Sequence, residues 1–149
     1  MKKFEFSMQK ILDLKNNILE EEKNRLGRLQ EEKRKIELRI EALQTASREI
    51  SEEMKRAQLE GVTVAALLAS SARQNIIRLQ MEDMLRQLET AQEKVDAQMQ
   101  VVVAASQEVS KLEKVEERQY EIYPGFEKKA EATRIEELVT NNISRRQVV

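Results

Sequence analysis

Apolar residues recur at alternating spacings of four and three through most of the first half of this 149-residue chain. A 3.5-residue repeat keeps one narrow stripe of a helix against a partner helix, which is typical of a left-handed coiled coil. Polar residues interrupt the stripe at Lys15, Glu22, Lys33 and Ser47. Its apolar positions are Met8, Leu12, Leu19, Leu26, Leu29, Ile36, Ile40, Leu43, Ile50, Met54 and Ala57.

The repeat breaks at residues 58–63, which contain Gly61 followed by β-branched Val62 and Thr63. Glycine takes positive φ at little cost, and β-branched residues lower helix propensity. We therefore predict that the chain reverses here and that two helices pack antiparallel. In the alternative, Gly61 lies inside one continuous helix, as Gly27 is expected to do, at a cost of about 1 kcal/mol.

The predicted fold class is all-α, a long two-helix antiparallel coiled-coil hairpin forming a single elongated domain over residues 1–149. We expect the first arm at about 3–59, the turn at about 60–63 and the second arm at about 64–123. Pro124 and Gly125 are helix terminators, so a short distal helix at about 126–140 and a flexible tail should follow. At 1.5 Å per residue, arms of roughly 55 residues would be about 80 Å long.

The second arm is less charged than the first, and residues 62–72 and 97–107 contain no ionisable side chain. If the chain reverses at Gly61, residues whose numbers sum to about 122 face each other, which puts Lys33 opposite Glu89. Because successive helical residues are 100° apart, the run Val101-Val102-Val103 should expose at least one valine. The predicted seam of this arm is Leu67, Ile77, Met81, Met84, Leu88, Ala91, Val95, Val102, Ala105, Val109 and Leu112.

Composition excludes several function classes. The 26 basic and 27 acidic residues are interspersed, so no basic field is available to attract nucleic acid. The absence of Cys and His removes the commonest ligands of transition metals and the commonest general base. No phosphate loop or hydrolase motif occurs. We predict a protein that is not an enzyme, has no cofactor and binds no metal.

Hydropathy gives no indication of membrane insertion. No apolar run approaches the roughly 20 residues that span a bilayer. The opening Met1-Lys2-Lys3 leads into alternating polar and apolar residues rather than the apolar core of a signal peptide. We therefore expect a cytoplasmic protein.

All aromatic residues fall where the two arms should meet at the open end of the hairpin. We expect them to cluster there, either as contacts for a partner protein or as a plug that prevents fraying. Beside the seam, Ile11 and Ile18 continue a second apolar line that begins at Phe4, which indicates that something else packs on this face. The aromatic residues are Phe4, Phe6, Tyr120, Tyr123 and Phe126.

The two ends of the chain resemble the FliJ family of flagellar export proteins. The opening MKKFEFSMQKILDLK has that family's Phe-x-Phe pair, a Gln, and a Leu-rich turn ending in a basic residue. Residues 112–120, 127–131 and 135–138 are similar to its C-terminal pattern, and a hairpin tip near residue 60 agrees. Pro124-Gly125 departs from the uninterrupted helix that is usual in the family.

The resemblance implies a soluble component of the flagellar type III protein export apparatus, peripherally associated with the inner membrane and serving motility. It implies a shape similar to the coiled coil of the rotary ATPase γ subunit. The chain would then act as a central stalk that promotes hexamer formation and activity of the export ATPase. It would also contact the export gate membrane protein and escort chaperones of late substrates. We expect a monomeric hairpin when the chain is alone.

The resemblance and the aromatic pattern together indicate the partner-binding residues. For the export gate they are Ile76, Ile77, Met81 and Met84. For the ATPase ring they are Phe4, Phe6, Gln9, Tyr120, Tyr123, Glu136, Glu137 and Leu138. The alternatives are a structural or tethering coiled coil, and a stalk protein or chaperone of a virulence-type type III secretion system.

Overall fold

The computed structural model describes the backbone of residues 5–147 and the side chains of residues 5–123 and 131–143. This part of the chain forms three helices and contains no strand. They are α1 (Gln9–Glu60), α2 (Val64–Glu121) and α3 (Pro124–Gln147). The all-α class and the antiparallel pairing of two long helices are confirmed.

The helices contribute to two compact units. One unit, Glu22–Val102, holds most of α1, the reversal and the first part of α2. The other combines Met1–Glu21 with Val103–Val149, so it holds the start of α1, the end of α2 and α3. α1 and α2 run in opposite directions, because Glu22 bonds to Gln98 whereas the later residue Ser47 bonds to the earlier residue Gln74.

The reversal occupies the three residues between α1 and α2. Gly61 has a φ of 92°, and it is the only residue with positive φ in the described part of the chain. Thr63 then caps α2, since its Oγ1 accepts a hydrogen bond from the Ala66 backbone N at 3.1 Å. Glycine at the end of one helix and a threonine cap at the start of the next reverse the chain within three residues.

The predicted seam is the core of both units. Every predicted seam position on α1 and α2 is buried or half-buried, including the polar positions on α1. No described side chain is fully buried, as expected for a single layer of contact between two helices. The most buried apolar seam residues are Leu12, Leu19, Ile40, Leu43, Ile50, Ala91, Val95 and Val109.

The structure adds five seam positions on α2 that the apolar pattern did not reveal. They restore an unbroken alternation of three and four from Leu67 to Gln119, and all are buried or half-buried. A search for apolar residues misses them because each is polar. The added positions are Ser70, Gln74, Gln98, Glu116 and Gln119.

Gln98 is the most buried of these polar residues, with 6% of its surface exposed. Its Nε2 donates to the backbone O of Glu22 at 3.0 Å and also to the Glu22 carboxylate. A buried amide without partners would cost about 1–3 kcal/mol, so these bonds are what make a glutamine tolerable in the seam. They also tie one position of α2 to one turn of α1.

Gln74 makes a similar contact nearer the reversal. Its Nε2 donates to the Ser47 backbone O at 2.8 Å and to the Ser51 Oγ at 3.0 Å. Its Oε1 accepts from the Ser47 Oγ at 2.9 Å. The polar position Ser47, predicted from the sequence, thus lies against a polar position of α2 that was not predicted.

These contacts give the register of the hairpin. The bonded pairs Glu22–Gln98, Ser47–Gln74 and Ser51–Gln74 have residue numbers that sum to 22 + 98 = 120, 47 + 74 = 121 and 51 + 74 = 125, values on either side of the expected 122. Lys33, which was expected opposite Glu89, has a different ionic partner. Lys33 Nζ instead lies 3.6 Å from Glu37 Oε1 on the same helix. An intrahelical partner one turn away is always within reach of a flexible lysine.

Two ends of helices differ from the sequence-based boundaries. α1 begins at Gln9 rather than near residue 3, with the Gln9 backbone N bonded to the Phe6 O at 3.1 Å. α3 begins at Pro124, where a missing amide donor costs nothing, and continues to Gln147 rather than ending near residue 140. Within α3, the Thr140 Oγ1 donates to the Glu136 O at 2.8 Å, which satisfies this polar side chain inside the helix.

The two described glycines of the coiled coil should respond oppositely to substitution by alanine. An added Cβ meets nothing within 4 Å at either position. Gly27 lies inside α1, so Gly27→Ala should stabilise the chain by up to about 1 kcal/mol. At the positive φ of Gly61, Gly61→Ala should destabilise it by about 1–2 kcal/mol. Urea unfolding followed by circular dichroism measures both, and changes of the same sign would contradict the backbone argument.

Substitution of the buried Gln98 should lower the free energy of unfolding, whereas substitution of Gln100, two residues away, should leave it nearly unchanged. Gln98→Ala leaves the Glu22 groups without their donor, so we expect a loss of about 1–3 kcal/mol in the free energy of unfolding. The matched control is Gln100→Ala, because Gln100 is exposed on the same helix. Equal effects of the two substitutions in urea unfolding would show that the Gln98 bonds do not contribute to stability.

Candidate partner-binding surfaces

The N-terminal residues predicted to contact a partner occupy different environments. Phe6 is only 7% exposed, so its ring packs inside the unit that contains the start of α1 and the end of α2. Gln9 is exposed at the first turn of α1, where its Nε2 donates to Asp13 Oδ1 at 2.8 Å. Phe4 lies outside the described residues. Of the two described residues, Gln9 presents its side chain on the surface and Phe6 does not.

A side-chain hydrogen bond joins the start of α1 to the end of α2. The Ser7 Oγ donates to Gln119 Oε1 at 3.4 Å. Tyr120 follows Gln119 and is exposed, and Tyr123 is half-buried just after the end of α2. The predicted Phe6 and Tyr120 therefore belong to adjoining segments of one unit. The clustering of all five aromatic rings stays a prediction, since the side chain of Phe126 lies outside the described residues with Phe4.

The three predicted residues of α3 are exposed. Glu136 and Glu137 border a shallow depression on the helix surface that also includes Thr133 and Thr140. Leu138 is exposed as well, as are the apolar residues on either side of it. The described part of α3 thus presents carboxylates and leucine together on an uncovered helix.

The four residues predicted for the gate contact divide into two sets. Ile77, Met81 and Met84 are half-buried at seam positions, whereas Ile76 is exposed on the outside of α2. Ile77 and Met81 also line a groove between α1 and α2 beside Gln74. Most of this set therefore holds the hairpin together, and of the four only Ile76 is exposed.

α2 has an exposed apolar face that was not predicted from the sequence. Leu68, Ile76 and Leu79 are 66%, 55% and 56% exposed, and with 100° per residue they fall within about 80° of one another on the side opposite the seam. Apolar side chains that share one exposed face of a helix are candidates for contact with another protein. One sequence feature could have indicated this face: residues 62–72 carry no charge, and this segment includes Leu68 at the start of the face.

The expectation for the valine run is confirmed. Val101 and Val103 are exposed, and Val102 is half-buried at a seam position. These exposed valines adjoin Met99, which is exposed as well. The uncharged window thus adds apolar surface to α2.

The described residues contain no group of acidic side chains placed to hold a metal ion. In the same part of the chain, no helix is both long enough and apolar enough to cross a membrane.

Comparison with known proteins gives one match. The family model described as the flagellar FliJ protein matches residues 4–148, which is nearly the whole chain. Neither a curated protein nor a solved structure matches significantly. The family match agrees with the antiparallel hairpin and with the motif resemblance at both ends. The chain therefore belongs to the FliJ family, a family of flagellar export proteins.

Proposed function

We propose that this protein is the central stalk of the flagellar export ATPase, promoting assembly of the ATPase hexamer and its activity. Membership of the FliJ family supports a role in flagellar export. The observation that carries the stalk proposal is the antiparallel pairing of α1 and α2, with the chain's two ends in one unit. A helical pair of this kind can enter the centre of a ring, where an asymmetric insert favours some subunit interfaces over others.

The proposed ring contact lies at the end of the hairpin where α1 starts and α2 stops. Gln9 and Tyr120 are exposed there and can reach a partner directly. Phe6 is buried in the same unit, so its proposed contribution is to hold the start of α1 against the end of α2. Phe4 and Tyr123 complete the proposed contact. Aromatic side chains commonly supply a large share of interface energy.

On α3, we propose that Glu136, Glu137 and Leu138 extend the ring contact. Their exposure leaves two carboxylates and a leucine available to one partner surface. Charged groups of this kind steer association and select the partner, while the apolar side chain contributes burial. Specific binding by α3 therefore requires basic groups on the ATPase.

We further propose that the outer face of α2 contacts the export gate, and that the chain also meets escort chaperones. Ile76 was part of the sequence-based gate prediction, and Leu68 and Leu79 lie on the same exposed face. Ile77, Met81 and Met84 would support this face from the seam. The contact would lie in the unit that contains the reversal, separate from the unit that carries the proposed ring contact.

The stalk proposal predicts that the chain lowers the enzyme concentration at which the cognate export ATPase becomes active. ATP hydrolysis is measured with and without the chain, across concentrations that span ring assembly. Tyr120→Ala should raise the concentration of chain needed for half-maximal stimulation by about tenfold, equivalent to about 1.4 kcal/mol. Gln80→Ala, exposed on α2 in the other unit, is the control.

Three outcomes would count against the stalk proposal or its ring contact. Hydrolysis unchanged by a chain that circular dichroism shows to be helical would favour a tether or a substrate-binding chaperone. A dimeric mass in solution would favour a tether in particular, because a hairpin already covers its own seam. Equal loss with Tyr120→Ala and Gln80→Ala would remove the proposed end of the hairpin from the ring contact.

The gate contact is tested separately by charge on the outer face of α2. Leu79→Glu should weaken binding to the purified cytoplasmic part of the gate protein by at least about tenfold, because it puts a charge into an apolar contact. It should leave the unfolding midpoint nearly unchanged, since Leu79 is exposed. Gln80→Glu adds the same charge one residue away and serves as the control. Binding unaffected by Leu79→Glu would exclude this face.

A further inference from the structure

Two exposed apolar stripes with the same spacing occur in the unit that contains the ends of the chain. On α1 the stripe consists of Ile11, Leu14 and Ile18, of which the first two are exposed and the third is half-buried. On α3 the corresponding stripe is Ala132, Ile135 and Val139, all exposed. Spacings of three and four on both helices allow the stripes to pack along one another as a coiled coil does.

The end of α2 adds apolar surface on the same side of the hairpin. Val115 is half-buried, and Ile122, just after α2, is 70% exposed. At 100° per residue, Val115 and Ile122 lie about 100° around the axis of α2 from its seam. The α1 stripe lies about 100° around the axis of α1 from its seam, and the direction of rotation is the same on both helices. Antiparallel helices turn such faces to one side, so the two faces form a groove for a third helix.

Chain connectivity can bring α3 to this groove. The Ser7–Gln119 bond places the end of α2 beside the residues just before α1, so a chain that reverses after Tyr123 returns along the start of α1. A returning α3 then runs parallel to α1. We align the two helices by their apolar stripes: an offset of 121 residues places Ile11, Leu14 and Ile18 beside Ala132, Ile135 and Val139.

Charges match at the same offset. Lys10 lies beside Glu131, Asp13 beside Arg134, and Lys15 beside Glu136. No two residues of like charge are paired between residues 10–21 and 131–142. Asp13 already accepts from Gln9 at 2.8 Å, but a carboxylate can accept further bonds. One offset therefore satisfies both the apolar stripes and the charges.

We propose that α3 closes onto this groove in solution and forms a three-helix bundle with the start of α1 and the end of α2. Ile122 and Tyr123, which lie outside both helices, are where the chain turns back. Burial of the α1 and α3 stripes and of Ile122 drives the closure. The closed form covers Ile11 and Leu14, which are exposed in the structure. Closure is thus a switch that controls which apolar surface this end presents, whatever partner binds there.

Disulfide formation between introduced cysteines tests the closure, and the chain contains no cysteine of its own. The test variant carries Leu14→Cys and Ile135→Cys. The control carries Asn16→Cys and Ile135→Cys, because Asn16 is exposed at the same level of α1 but about 170° away from the stripe. Docking of α3 should make the intramolecular bond form at least about tenfold faster in the test variant, since it raises the effective concentration of the two thiols.

Mass after oxidation separates the outcomes. A cross-linked monomer formed preferentially by the test variant supports closure. Equal rates in the two variants, or no cross-link in either while circular dichroism shows both to be helical, would overturn it. A cross-link found only in dimers would also overturn it, because the groove would then hold α3 of a second copy.

A charge exchange provides a second measurement that does not depend on thiols. In the cross-linking background, Asp13→Arg alone or Arg134→Asp alone should slow disulfide formation several-fold, because each places like charges together in the closed form. The two substitutions together should restore the rate. A double variant as slow as the single ones would exclude this register.

Discussion

The seam between α1 and α2 is the interaction on which the rest of the structure depends. It is one layer deep, and no described side chain in it is fully buried. A core this thin gains stability only by continuing over many turns, which explains why the 3.5-residue repeat persists along both helices. The surfaces that remain free to contact another protein are therefore the helix faces that the seam does not cover.

Polar residues within the seam have a role that apolar ones cannot fill. Leucine packs against leucine in several registers with similar energy, whereas Gln74 and Gln98 each bond to a particular backbone carbonyl of α1. Sliding one helix past the other would leave these amides buried without partners, which is costly. The two contacts thus act as specificity devices, in the way that a buried polar residue sets the register of other coiled coils.

The exposed apolar faces of the hairpin lie in different units. The unit containing the reversal presents Leu68, Ile76 and Leu79 on α2, and the unit containing the chain ends presents the groove beside α1. Because each face belongs to a different unit, the proposed gate contact and the proposed ring contact do not compete for the same side chains. Closure of α3 would affect only the second of them.

The sequence by itself determined the helical class, the reversal at Gly61, the apolar seam positions and the family, because periodicity, glycine conformation and end motifs are local properties of the chain. Only the tertiary structure decided which polar residues join the seam, since Gln98 cannot be told from exposed Gln100 until its partner Glu22 is placed. The candidate surfaces divide in the same way. The sequence indicated Phe6 and Ile77 as contacts, but packing across the hairpin buries the first and half-buries the second, because a side chain's exposure depends on the opposing helix.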